Sequence, residues 1–356
     1  MLKLFNSTLL NTLCQPRTGE QRIGQQLQLP QTALDLTELA LAEQLALSKS
    51  QGCRYVLVGI TEDIGPRANL GAGGAADAWQ AFLTKFVNLQ SNDFIDSKQI
   101  LLLGEIDCSD LQTQATQLSA SNTEHLQQLR QLVNVIDQRV EPVITAIFAA
   151  GLYPIIIGGG HNNSYPILSA LASVSQQAVN CANLDPHSDF RAIEGRHSGN
   201  GFSYAWQQQK LAQYFVLGLH ELKNSTANLA LLKQAGAEFI SYQQIFVRQQ
   251  FSYRQALEQC IKFINQGNNP IGIEVDTDSI SLMPVSAFTN CGISVAAAEQ
   301  FVYQLAKLPR SQYLHLAEAA PAQHPAGLAA GMNEAGQTLA ALVYAFIQGK
   351  QQQPAE

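Results

Sequence analysis

The chain has 356 residues, of which 46% are apolar and 14% charged, with a formal net charge of −7 and a pI near 5.5. An apolar fraction this high excludes a disordered chain, and the lack of any dense Lys/Arg stripe excludes a nucleic-acid partner. Six scattered cysteines without a CxxC pair exclude a zinc ribbon and argue against a disulfide framework, and no apolar run approaches the ~18 residues of a membrane-spanning helix.

Residues 1–32 are polar, Gln-rich and without a sustained period, and read as an irregular arm. Asn6, Ser7, Thr8 and Asn11 interrupt the apolar core that a leader peptide needs, and bulky Leu13 precedes Cys14 where a lipid anchor needs a small residue, so the expected location is cytoplasmic. Ala33–Ser48 carries leucines at helical spacing, and Arg54–Ile60 is a continuous apolar run of the kind buried on both faces of a parallel sheet. Thr61–Ala76 is a Gly-rich loop with neither GxxxxGK[ST] nor GxGxxG spacing, which leaves nucleotide binding without support. A helical pattern follows through Trp79, Phe82, Phe86 and Leu89.

Ile100–Ile106 is the next strand, and Asn122–Gly151 a long amphipathic helix with a candidate break at Pro142. Tyr153–Gly158 is a strand running into Gly159, Gly160 and His161. A helix over Tyr165–Val174, a strand over Ala182–Asp185, a helical pattern over Phe202–Leu211, a strand over Tyr214–Leu219 and a helix over Asn228–Gln234 come next. Further strands span Glu238–Tyr242, Ile271–Asp278 and Tyr313–Glu318, and a last helix spans Asn333–Ile347 before a polar tail at 348–356. Alternation of this kind implies one domain over residues 33–347, with a mostly parallel sheet of roughly eight strands between two helical layers. Ligands of such folds bind at the carboxyl ends of the strands.

Three predicted strand ends carry groups of metal-ligand chemistry: His161, then Asp185, His187 and Asp189, then Asp276 and Asp278. A spacing of two places each series on one face of an extended segment. Four carboxylates with two neutral imidazoles bring four negative charges together, which burial does not tolerate without cations; two divalent ions neutralise them. Oxygen-rich ligation without cysteine suits a hard ion such as Mn²⁺, with other divalent metals admissible. Arg191 and Arg196 lie beside the second series, where each would either hold a substrate carboxylate or sit in a surface salt bridge.

The motifs GGGH (Gly158–His161), DPHSD (Asp185–Asp189) and EVDTD (Glu274–Asp278) resemble the three metal-binding motifs of the ureohydrolase superfamily of arginase, agmatinase and formimidoylglutamase. The resemblance runs from EDIGPRANLGAGGA to EAAP at Glu318–Pro321 and implies an arginase-like α/β fold with a dimanganese centre. It implies that Asp185 and Asp276 bridge the ions, that His161 and Asp189 complete one, and that His187 and Asp278 complete the other. By the same resemblance Asp189 passes a proton to the leaving amine, Glu318 pairs with the cationic amidine or guanidine, and Ser198 and Asn200 contact the substrate.

Gly160 stands where arginase and agmatinase relatives show the aspartate of GGDH, which looks like the formimidoylglutamase branch. Phe202 stands where arginase has a proton-shuttling histidine, Ser281 and Leu282 replace an Asp-Pro pair, and Pro186 replaces an alanine. The expected activity is conversion of N-formimidoyl-L-glutamate and water to L-glutamate and formamide. An agmatinase- or arginase-like hydrolase releasing urea is the alternative, and a metal-binding sensor without turnover the rival of another class. The expected partner is a small amidine or guanidine, with no nucleic acid and no membrane; assembly into a homo-oligomer is left open.

Overall fold

The computed structural model describes residues 2–31 and 38–353. Its strands are β1 (Leu2–Leu4), β2 (Tyr55–Ile60), β3 (Ile100–Ile106), β4 (Tyr153–Ile157), β5 (Val179–Leu184), β6 (Leu211–Leu219), β7 (Glu238–Ser241), β8 (Ile271–Asp276) and β9 (Ser311–Ala317). They form one sheet in the order β1-β3-β2-β4-β9-β8-β5-β6-β7. Eight strands run parallel, as expected, and β1 adds an antiparallel edge to β3.

The inner strands are apolar throughout because both sheet faces are covered, and successive side chains feed opposite cores. Tyr55, Leu57, Ile155 and Ile157 join one core, packed under helices Ala78–Phe86, Tyr253–Ile264, Val295–Ala306 and Leu328–Gln351. Val56, Val58 and Ile156 join the other, under helices Glu38–Ser50, Thr123–Ala149 and Ser164–Ser175. The result is the three-layer αβα arrangement expected from the alternation. No helix of the described residues is long and apolar enough to cross a membrane.

Several boundaries differ from expectation. Residues 2–31 are not irregular: besides β1 they contain the helix Ser7–Leu13, capped by the Asn6 side chain, and Ile23 in the core. The helix expected from Ala33 is described from Glu38; residues 33–37 lie outside the described part. Thr123–Ala149 is a single helix passing through Pro142 without a break. The last helix runs on to Gln351, so the start of the expected tail is ordered, while residues 354–356 lie outside the described part.

Strand order positions the site. The chain lays down β4, moves on to β5, and only later returns with β8 and β9 to fill the gap between them. Four consecutive strands of the sheet, β4, β9, β8 and β5, thereby bring their carboxyl ends together although they are far apart in sequence.

Candidate metal centre

His161 follows β4, Asp185 follows β5, Asp276 closes β8 and Glu318 follows β9. All four are buried. The ladder of spacing two does not work as the extended-strand argument predicts: β5 ends at Leu184, Asp189 has φ +44°, and Thr277–Ser279 is a 3₁₀ turn. The ligands converge through turns instead. The His187 amide donates to Asp185 Oδ1 (2.6 Å) and the Asp278 amide donates to Asp276 Oδ1 (2.8 Å). Each aspartate is thus fixed by the amide of the ligand two residues on. Its other oxygen, Oδ2, faces His161 Nδ1, at 3.4 Å from Asp185 and 3.5 Å from Asp276.

Two groups of ligand atoms result, each with its atoms within 4.8 Å of one another: His161, Asp185, Asp189 and Asp276, and beside it His187, Asp276 and Asp278. All six expected ligands are brought together, with Asp276 in both groups. His187 Nδ1 also lies 3.6 Å from Asp185 Oδ1 and 3.7 Å from Asp278 Oδ2.

The donor set fits divalent cations. Both ring nitrogens of His161 and Asp278 Oδ1 are buried without a hydrogen bond, although His161 Nδ1 lies 2.8 Å from Asp189 Oδ2. Donor atoms that approach this closely without hydrogen-bond alignment are arranged as a shared cation would require.

The electrostatics agree. Burial pushes Asp278 well above the usual carboxylate range and the neighbouring Asp276 adds to it; burial and Asp185 raise Asp276 to about 6. Burial opposes the charge of His187, but the hydrogen bond and charge of Asp185 outweigh it and raise the imidazole to about 9. Burial likewise opposes the charge on Asp185, yet its contacts with His161 and His187 hold it at about 2. A cage that holds its charge in balance with imidazole protons is one from which divalent cations displace those protons.

Glu318 lies beside the cage with φ +67°, its Oε1 accepting the His161 amide at 2.9 Å. Burial, then Asp276 and Asp278, push its carboxyl well above the ordinary value. Glu318, Asp189, Asp276, Asp278 and His187 line a cavity of about 280 Å³, whose wall includes Ser198 and Arg191.

Two expected substrate residues are elsewhere. Arg196 is 1% exposed, donates to both oxygens of Asp137 (2.8 and 3.2 Å), to Asn200 Oδ1 and to the Asn162 carbonyl, and lies between the rings of Tyr165 and Tyr204. Asn200 spends its amide on the Ala192 and Gly195 carbonyls and its oxygen on Arg196 and the His197 amide. Neither lines the cavity. They hold the 191–200 loop against the helical layer.

Two of the residues singled out as departures, Gly160 and Phe202, are explained by packing. A Cβ at Gly160 would overlap the Pro66 ring, which leaves no room for the aspartate of GGDH. Phe202 is fully buried, edge-on to His161 with centroids 5.1 Å apart and stacked on Tyr214.

Sequence reasoning missed a buried trio. Glu274 accepts from Tyr313 Oη and His315 Nδ1, both at 2.6 Å, and its Oε2 lies 3.4 Å from His161 Nε2, behind the metal-facing edge of that ring. Its signal was present but illegible: Glu274 is the first residue of EVDTD, and only the β8–β9 register, which pairs it with His315, reveals its partners. Glu62, also missed, accepts from the Gly160 and Gly65 amides and from Asn163, fastening the Gly-rich loop to GGGH.

A family profile described as the arginase family matches residues 54–346. The formimidoylglutamase of Streptococcus pyogenes serotype M3 (strain ATCC BAA-595 / MGAS315) is 25% identical over 320 residues, covering 84% of this chain and 87% of that relative. The crystal structure of Trypanosoma cruzi formiminoglutamase with Mn2+2 superposes with a TM-score of 0.69 at 18% identity, covering 94% of this chain and 100% of that one. The formimidoylglutamase of Bacillus subtilis subsp. subtilis str. 168 gives a TM-score of 0.72 at 15% identity, covering 96% and 95%.

Proposed function

The chain belongs to the arginase family, and on that premise we propose that it is a binuclear-metal hydrolase of linear amidines, converting N-formimidoyl-L-glutamate and water to L-glutamate and formamide. The observation that carries the reading is Asp276, shared between two ligand groups on the floor of a cavity that Glu318 also lines. The names of the curated relative and of the solved neighbours support the substrate, and the Mn2+2 of the Trypanosoma cruzi structure supports the metal. The catalytic unit is assigned to residues 33–347.

When bound, two Mn²⁺ ions supply charge compensation and lower the pKa of water so that hydroxide is available near neutral pH. His161, Asp185, His187, Asp189, Asp276 and Asp278 are the residues that would hold them. Glu318 pairs with the amidinium: one oxygen is occupied by the His161 amide, which orients the carboxylate, and the charge of the substrate favours its ionised form despite burial. Asp189, whose carboxyl is raised by burial and by Asp185, takes the proton of the attacking water and returns it to the leaving nitrogen. The water oxygen joins the amidine carbon, that carbon parts from the glutamate nitrogen, and formamide keeps the second nitrogen. Asp189 and Glu318 both hold positive φ, a backbone strain that persists where surrounding structure imposes it and that clusters at functional sites. Ser198 and Arg191, which line the cavity, are assigned to the substrate.

The test is a panel of formimidoyl and guanidino compounds offered to the Mn²⁺-loaded protein. Release of formamide and glutamate is expected. Urea from agmatine, arginine or a guanidino acid would move the assignment to a guanidino hydrolase, and two bound ions with no turnover of any compound would overturn the enzymatic reading in favour of a sensor.

A further inference from the structure

The cavity has an acidic floor and unequal walls. Asp189, Asp276, Asp278 and Glu318 form the floor. On one wall Arg191 donates to Asn69 Oδ1 (2.8 Å) and Asn69 donates to Ser198 Oγ (3.3 Å). A second Arg191 nitrogen lies 3.4 Å from Glu194 Oε1, so this guanidinium already has a carboxylate. The other guanidinium expected to receive a substrate, that of Arg196, is bound to Asp137 outside the cavity.

Another part of the wall comes from the loop 220–225 between β6 and the helix Thr226–Gln234, from which Lys223 and Asn224 line the cavity. Among the described residues its ammonium has no hydrogen-bond or ion-pair partner. Its backbone, by contrast, is well fixed. The Lys223 amide donates to the His220 carbonyl (3.0 Å), and Asn224 bonds the Pro186 carbonyl, the His220 carbonyl and the Ser188 amide at 2.8–3.0 Å. The loop is thereby tied to the Asp185–Asp189 segment that carries three of the metal ligands. The Lys223 charge acts on Asp278 at the acidic floor and on His220 beside it, yet its ammonium forms no ion pair, and on a loop fixed this way, in a cavity near the small end of ligand sites, it is available to whatever the substrate carries beyond its amidine.

We infer that Lys223 is the specificity-determining residue of this cavity: it receives a carboxylate borne by the substrate, and selects amidines with an anionic tail over those with a neutral or cationic one. This rests on the amidine-hydrolase reading above. The substrate it fits is dipolar, with a cationic amidine against Glu318 at one end and a carboxylate against Lys223 at the other. A cationic tail such as that of agmatine would be repelled by the same ammonium. A charged hydrogen bond in a partly enclosed site is large enough to set this preference.

The experiment compares wild type, Lys223→Met, Lys223→Arg and Lys223→Glu, all Mn²⁺-loaded, on N-formimidoyl-L-glutamate, 4-guanidinobutyrate and agmatine. Lys223→Met is expected to raise KM for the anionic compounds by about 10- to 100-fold, well beyond any fall in kcat. Lys223→Arg should recover most of the loss, and Lys223→Glu should shift preference toward agmatine. An equal loss on all three compounds, or a changed Mn²⁺ affinity, would overturn the inference and make Lys223 a neutraliser of the acidic floor; so would a wild type that prefers agmatine. Should none of the compounds turn over, the hydrolase reading falls, while calorimetric binding of L-glutamate to the Mn²⁺-loaded protein still decides Lys223: weakening in Lys223→Met supports the inference, and unchanged binding overturns it.

Discussion

Asp276 contributes an oxygen to both ligand groups, whereas His187 belongs to only one. Asp276→Ala is therefore expected to abolish activity and most Mn²⁺ binding, while His187→Ala should leave one ion bound; calorimetric stoichiometry separates the two, and retention of both ions in Asp276→Ala would refute the shared ligand. The arginines divide as sharply. Arg196 is buried against Asp137, so Arg196→Ala leaves a charge uncompensated in the core and should cost roughly 3–5 kcal/mol in denaturant unfolding. The Arg191 side chain is 41% exposed, and Arg191→Ala should cost less than about 1 kcal/mol of stability. The six candidate ligands, which the fold brings together, were legible because each series is local in sequence and its chemistry has few other uses. Arg196 was misread because what engages it lies elsewhere, Asp137 and Asn162 being 59 and 34 residues away, and Asn200 with it because its oxygen accepts from that same guanidinium.

At the level of elements, apolar runs identified the inner strands because a strand buried on both faces needs no polar alternation. The ends of elements were less legible. Ligand motifs made β5 and β8 look as if they ended later than they do, since spacing by two is also what an aspartate produces when it accepts the amide two residues on. The end of the last helix was misread because glutamines and a lysine look like a frayed tail. Lys350 is nevertheless buried, its amine donating to the Ser311 carbonyl at 2.6 Å and lying 3.7 Å from the Tyr153 ring centroid. That residue pins the helix to the amino ends of β9 and β4. Lys350→Met is expected to lower unfolding free energy by about 1–3 kcal/mol. Equal stability of the variant in urea would show that the anchor contributes nothing.

For the whole molecule, metal binding and folding are linked, because the ligands come from strands joined only in the native sheet. Saturating Mn²⁺ at about 100 times its Kd should add about 2.7 kcal/mol of stability for each ion bound, seen as a rise in Tm that chelation reverses. The gain has a definite pH dependence. His187 is raised from 6.5 to about 9 in the metal-free fold, so below that pH a cation must displace its proton, and affinity should climb as pH rises toward 9. In the chelated protein the sign is opposite: a raised imidazole contributes stability that is fully present below its unfolded value of 6.5 and is lost as pH rises through about 9. The interval between loaded and chelated Tm should therefore widen from pH 6 to pH 9, and a constant interval would contradict the cage electrostatics. By itself the sequence determined the α/β class and the parallel sheet and singled out the six candidate ligands, because periodicity and donor chemistry are local properties. Only the tertiary structure decided that β8 and β9 insert between β4 and β5, that Glu274 stands behind His161, and that Lys223 rather than Arg196 faces the cavity. Those facts depend on strand order and register, which long-range burial selects and no short stretch of residues encodes.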